Sequence, residues 1–338
     1  MASLFAGSVC VNVVLLAWAG IRHGADSARY LASAQELLAG RWLRDQASWV
    51  YFGYNALLAF CDTLGLGEAG IIALQVFAAA CAALALYDLG RQLSGALAGI
   101  LAAGFFVIDY DIARWHLYVL TDSLFISLVV LSTWFTHRAT IGGVRRYLEA
   151  AGVLLLTMMI RPNGWMLAPI AAGYWIVRCG LPVRLKWAAT AAVLVAFTAG
   201  AASIAMVQFG RQAAQRGSGD PLPYAAVISP KHAFDTDAIA DRLFTELLHA
   251  RAEFSLRHNA MVIAMISVVY PLAVFGAIRT RDRPLARIVA LVIAGQLFVV
   301  AVSFSDPDGR YLLYILPLIS VFAACGAVAL RDRWWASG

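Results

Sequence analysis

Four short stretches place ionisable residues in an otherwise apolar chain, and any chemistry must come from them. The first, His23-Gly24-Ala25-Asp26-Ser27-Ala28-Arg29-Tyr30, sets one carboxylate just ahead of a helical pattern. A carboxylate there serves either as a general base toward a hydroxyl or as an N-cap for orphan N–H groups. The second runs Asp109-Tyr110-Asp111-Ile112-Ala113-Arg114-Trp115-His116 and is followed by Thr121-Asp122. Asp109 and Asp111 have the spacing and oxygen ligands that suit a divalent cation such as Mg²⁺ or Mn²⁺, the plain alternative being two solvated acids. Asp122 lies about a turn into an apolar run, where a charge is costly and functional by default unless it caps a helix. The third and fourth stretches are Arg161-Pro162-Asn163-Gly164 and Ser305-Asp306-Pro307-Asp308-Gly309-Arg310-Tyr311. Arg161 and Arg310 each present a planar fork that fits a phosphate, although long side chains at such positions also snorkel to headgroups.

These stretches interrupt a chain of 338 residues that is 62% hydrophobic and only 14% charged. Soluble domains run near 45 to 50% apolar and about 25% charged, so a soluble globular protein is excluded, and with it a disordered one. The net charge of +6 points to no nucleic-acid partner, because in a bilayer the location of the charges decides their meaning. The five cysteines sit mostly inside apolar runs with no metal-ligand spacing, and their odd number implies no disulfide framework. Neither a phosphate-binding glycine loop, a nucleophile elbow nor a zinc motif is present.

Ten apolar runs can position the polar stretches: 4–21, 69–88, 93–108, 117–136, 147–160, 163–177, 187–207, 259–278, 287–304 and 311–330. With the N-terminus in the cytoplasm, the short inside connections carry half of the 26 basic residues but only Asp88, Glu149, Asp282 and Asp332 of the 20 acids. The positive-inside rule therefore puts both termini in the cytoplasm and the chemistry on the outer face of an inner or plasma membrane. The expected fold is all-α and polytopic, a single domain of about ten transmembrane helices over residues 1–338, with no separate soluble domain. Its two long outer loops, 22–68 and 208–258, each hold an amphipathic pattern: Tyr30, Leu31, Ala34, Leu37, Leu38 and Trp42 in one, and Ile239, Leu243, Leu247, Ala250 and Phe254 in the other. Both are read as helices lying along the interface. The fifth run, Leu148 to Ile160, reaches only about 20 Å at 1.5 Å per residue against a hydrocarbon core of about 30 Å. Arg161 is then held at membrane depth, where it needs a water-filled cavity or an anionic partner.

The order of these features resembles the GT-C superfamily of integral membrane glycosyltransferases, in particular its protein-mannosyltransferase-like and aminoarabinose-transferase-like branch. The resemblance rests on Asp26 opening a helix with Tyr30 four residues on, Arg114 ahead of Thr121-Asp122, the Arg161-Pro162 turn, and Arg310-Tyr311 before a helix containing Pro317. It implies a polyprenyl-phosphate-linked sugar donor and inverting transfer to a glycan, lipid or protein acceptor on the outer face. It also implies Asp26 as the catalytic acid of the first outer loop and Asp122, with Asp109 and Asp111, as the second acidic site. Arg161, Arg310 and Arg114 match donor-phosphate contacts, and Tyr30, His116 and Tyr311 substrate contacts. Many relatives carry Asp-Glu or Asp-x-Asp in the first loop, whereas Ser27 and Ala28 follow Asp26 here, which leaves metal dependence open.

Three other readings stand beside this one: a transporter or flippase of lipid-linked sugars, an O-antigen ligase or polymerase-like protein, and a non-catalytic partner subunit. Buried charges suit the first. Arg211, Arg216, Lys231, His232, Arg242, His249, Arg251, Arg257 and His258 in the second long loop suit the second. The charge asymmetry also gives a direct test of orientation. Cysteines introduced at Gly142 and Arg281 should be protected from an impermeant thiol reagent in intact cells, and those at Gly40 and Gly219 should react. Labelling at Gly142 would invert the topology.

Overall fold

The computed structural model describes residues 1–41, 51–142, 144–178, 184, 187–188, 191, 264–303 and 310–337, and these are almost entirely α-helical. Helix α1 spans Ala2–Ala19, α2 Ser27–Leu38, α3 Phe52–Thr63, α4 Gly67–Ser94, α5 Ala96–Ile108 and α6 Tyr110–Trp115. Then come α7 (Thr121–Ala139), α8 (Val144–Ile160), a 3₁₀ turn at Pro162–Met166, and α9 (Leu167–Arg178). After a π turn at Met265–Val269 follow α10 (Tyr270–Thr280), α11 (Pro284–Ser303), a second 3₁₀ turn at Arg310–Tyr314, and α12 (Leu316–Ser337). By length and composition Ala2–Ala19, Gly67–Ser94 and Pro284–Ala301 are long and apolar enough to cross a bilayer. The chain is a helical integral membrane protein. Most of the expected run at 187–207 and the whole second long loop, with its amphipathic pattern and basic residues, lie outside the described residues.

Helix α4 is the hub, packing on α1, α3, α5, α7 and α12. It turns into α5 through Gly95 alone, at φ +88°, a left-handed conformation that only glycine adopts without strain. Helices α7 and α8 pair, α9 lies against α11, and α10 against α12. Between α10 and α12 the two backbones touch: a Cβ on Gly276 would strike Phe322 O and Gly326 N, and one on Gly326 would strike Leu272 O and Gly276 N. With lipid as apolar as a leucine side chain, such close packing replaces the hydrophobic effect as the force between spans.

The two ends of the bundle differ in chemistry. At one end Asp88 accepts from Trp134 (2.9 Å), Arg91 (2.7 Å) and Gln92 (2.7 Å), His137 bonds Gln92 (3.2 Å) and Tyr174 (3.0 Å), and Arg283 donates to the Gln92 carbonyl (2.8 Å). The other end gathers the end of α1, helices α2, α3 and α6, the start of α7 and both 3₁₀ turns. There α2 presents Tyr30 and Ala34 inward, as its periodicity predicts, but α3 covers that face. Helix α3 falls within the first long loop, 22–68, because twelve residues are too short to register as a span.

The α10–α12 contact generates a prediction. Gly326→Val should lower the thermal stability of the purified protein, with the 1 to 3 kcal/mol typical of overpacking as a rough scale. Gly104→Ala, where a Cβ meets nothing within 4 Å, should leave it unchanged. Equal melting temperatures for wild type and Gly326→Val would show that the backbones do not meet there.

Candidate active site

The end of the bundle that gathers α2, α3 and α6 is organised by residues 116–120, which do not continue the helix. Arg22 and Tyr118 form a parallel bridge, with Arg22 N donating to Leu117 O (2.9 Å) and Val119 N to Arg22 O (3.0 Å). From α4, Gln75 Nε2 donates to the carbonyls of His116 (3.1 Å) and Tyr118 (3.0 Å). Buried Ser27, the first residue of α2, donates to Val119 O (2.9 Å) and accepts from Gly24 N (2.8 Å). The segment between α1 and α2 is thus fastened to the one between α6 and α7. Because Leu117 to Leu120 are held this way, α7 begins at Thr121, so Asp122 stands in its first turn instead of a turn further in.

The N-cap position of α7 is Leu120, and Asp122 stands two residues further on. Its Oδ1 receives Arg161 Nη1 at 2.9 Å and the Tyr314 hydroxyl at 2.6 Å. The same Arg161 nitrogen donates to Thr121 Oγ1 (2.8 Å), and its guanidinium lies 5.1 Å from the Tyr314 ring centre and 5.6 Å from that of Tyr311. Asp122 and Arg161 are both buried. Helix α8 rises about 25 Å over its 17 residues, still short of a full bilayer. The anionic partner that buried Arg161 requires is Asp122.

Tyr30 joins this pair from α2. Burial pushes its phenol above the usual value, Arg161 and Thr121 pull it down, and Asp26 and Asp122 push it up again. Tyr51 and Tyr54 stack edge to face on Tyr30 with centroids 5.1 and 5.3 Å away. Asp26 occupies the N-cap position of α2 but makes no side-chain capping bond; its carboxylate pairs with Arg29 at 3.1 Å and remains partly exposed. An acid at the rim beside a buried Arg–Asp pair can take a proton from a hydroxyl while the deeper cation faces an anion.

Of the residues singled out in sequence, Asp26, Tyr30, Asp122, Arg161 and Tyr311 come together. Arg310 opens the 3₁₀ turn that carries Tyr311 and Tyr314. The others stand in contacts of their own. Asp109 caps α6, accepting from Asp111 N (3.0 Å) and Ile112 N (3.4 Å), and Arg114 meets Asp111 at 3.5 Å and lies 5.9 Å from the Trp115 ring centre. Among the described residues no three His, Cys, Asp or Glu side chains are grouped to hold a metal ion. His116 is buried and bonds Ser123 Oγ at 2.6 Å, and burial lowers its pKa to about 4, so it is a neutral imidazole under the loop. Sequence reasoning missed Gln75, Thr121, Tyr51, Tyr54 and Tyr314. Only Gln75, a lone amide within an apolar run, carried a signal.

A buried charge that loses its partner costs roughly 3 to 5 kcal/mol, more than the pair itself contributes. Arg161→Met and Asp122→Leu should therefore each destabilise the protein by about that amount. The double variant should recover much of the loss, a non-additivity readable in a thermal denaturation cycle. Additive losses would mean that the two charges do not depend on one another.

Residues 51–204, a little under half of the chain, match the family described as dolichyl-phosphate-mannose-protein mannosyltransferase. The matched segment contains Gln75, Thr121, Asp122 and Arg161, while Asp26, Tyr30, Arg310 and Tyr311 fall outside it. No curated protein matches the chain. The family match supports a place in the GT-C superfamily and, in general terms, a glycosyltransferase type of activity for this membrane protein.

Proposed function

We propose that the protein transfers a sugar from a polyprenyl-phosphate donor to an acceptor hydroxyl at the outer face of the membrane, with inversion at the anomeric carbon. The observation that carries this reading is the buried Arg161–Asp122 pair with Tyr314, set inside the end of the bundle next to partly exposed Asp26. A prenyl chain belongs in the apolar interior and its sugar phosphate at a polar site near the interface, and this end of the bundle offers both.

In the proposed step Asp26 takes the proton of the acceptor hydroxyl as its oxygen attacks the anomeric carbon. The bond from that carbon to the phosphate oxygen breaks on the opposite face, and the electron pair leaves with the phosphate. Arg161 and Arg310 stabilise the growing negative charge. Phosphate leaves readily, so no separate acid is needed, unlike hydrolysis by paired carboxylates. Asp122 acts as a positioning residue: together with Thr121 it fixes the guanidinium of Arg161, which is otherwise bordered by tyrosine rings. Asp109 and Asp111 are engaged in capping and in pairing with Arg114, and no step is routed through a cation.

Asp26→Asn separates the base from a structural acid. The missing capping bond and the partly exposed Arg29 pair make the substitution cheap for folding, since exposed pairs contribute about 0 to 1 kcal/mol. Release of polyprenyl phosphate, measured with donor lipids and a membrane extract as acceptor source, should fall by roughly 10² to 10⁴ fold. Melting temperature and donor binding should hold. A wild-type transfer rate in Asp26→Asn would remove Asp26 from the mechanism.

A further inference from the structure

Two buried amide atoms close to the Arg161 turn have no hydrogen-bond partner. Asn163 Nδ2 and Gln296 Oε1 belong to side chains 7% and 1% exposed. The two residues are already coupled, because Gln296 Nε2 donates to the Asn163 carbonyl at 3.0 Å. That bond fixes the orientation of the Gln296 amide: its nitrogen faces a carbonyl, so Oε1 is left as the acceptor. One donor and one acceptor stand unused where α11 meets the Pro162–Met166 turn, two residues beyond Arg161. Around them the packing is apolar, with Met166 and Ile170 against Gly295.

Polar atoms in such surroundings are costly to leave unmet, so their chemistry selects an occupant. An ionised phosphate brings acceptors only and leaves Gln296 Oε1 bare. A prenyl chain brings neither acceptor nor donor, and a cation is repelled by the Asn163 N–H. A hydroxyl brings both, its oxygen for Asn163 and its proton for Gln296. We infer that Asn163 and Gln296 are a specificity-determining pair that reads a hydroxyl of the sugar on the lipid-phosphate donor. This rests on the proposed function and assigns the pair to the selection of the donor sugar. A bound water has the same hydroxyl chemistry, and the experiment separates the two sources.

The probes are undecaprenyl phosphate carrying glucose, mannose or galactose, sugars that differ in the orientation of single hydroxyls, together with undecaprenyl phosphate itself. Affinity is titrated on the purified full-length protein by thermal shift, which needs no acceptor. The wild type should prefer one epimer by roughly tenfold or more, as a site built to bond a hydroxyl does. Asn163→Leu and Gln296→Leu should each shrink that preference to within about threefold, with affinity for undecaprenyl phosphate unchanged. Gln296→Met, which keeps chain length and volume, serves if a leucine variant does not fold. Variants that shift the melting temperature but keep the wild-type epimer preference would show that the pair holds only water and would overturn the inference while leaving the proposed function intact. Equal wild-type affinity for all three sugars would do the same. Failure of the wild type to bind any of the four lipids would overturn the proposed function as well.

Discussion

A full charge cannot remain alone in a medium of low polarity, and much of the end of the bundle that holds Asp26 follows from the way Arg161 and Asp122 satisfy that constraint. Their pairing requires the first turn of α7, the turn after α8 and the 3₁₀ turn before α12 to converge. A short α8 follows too, because a helix that ran the full thickness would carry Arg161 out into the headgroups. Edge-to-face contact of Phe125 with Tyr314, at 4.8 Å between centroids, closes the apolar side of the pair.

Around that fixed point the connecting segments are built from backbone bonds instead of side-chain packing alone. Gln75 is the economical part of the arrangement. One amide in the middle of a spanning helix takes up two carbonyls that have no helix to satisfy them, and its oxygen accepts from the Tyr54 hydroxyl at 3.3 Å. Unpaired backbone groups are hardly tolerated at membrane depth, so the extended segment exists only because α4 and the strand-like contact at Arg22 complete it. Asp26 inherits its position from this chain of bonds: Gln75 holds Tyr118, Tyr118 bridges Arg22, and Ser27 ties α2 to Val119.

Charges and aromatic residues standing out against apolar runs made Asp26, Tyr30, Asp122, Arg161 and Tyr311 legible in the sequence. Helix α2 was legible for a similar reason, since its buried face repeats at helical spacing. Tyr314, Tyr51 and Tyr54 were not, because a tyrosine among apolar and aromatic neighbours looks the same whether it lines a site or fills a core. Asp109, Arg114 and His116 lie near Asp122 in the chain, but the break between α6 and α7 gives each contacts of its own, which their spacing did not announce. Nothing in the order of residues told that the apolar face of α2 would meet α3, since amphipathicity defines a face and leaves its partner open. The unmet amides of Asn163 and Gln296 were beyond sequence reasoning altogether, as only three-dimensional packing reveals which polar atoms go without a partner.

The wide separation of the site's parts along the chain bears on how the protein is made. Asp122 sits on α7 and Arg161 directly after α8, successive helices that pack together, so a growing chain can offer the bilayer both charges as one neutral pair. Tyr314 lies 192 residues after Asp122 and enters only with the final helix. Insertion and completion of the site are therefore separate events in biosynthesis: the costly charges are secured early, and this end of the bundle stays open until the ribosome has delivered the 192 residues from Asp122 to Tyr314.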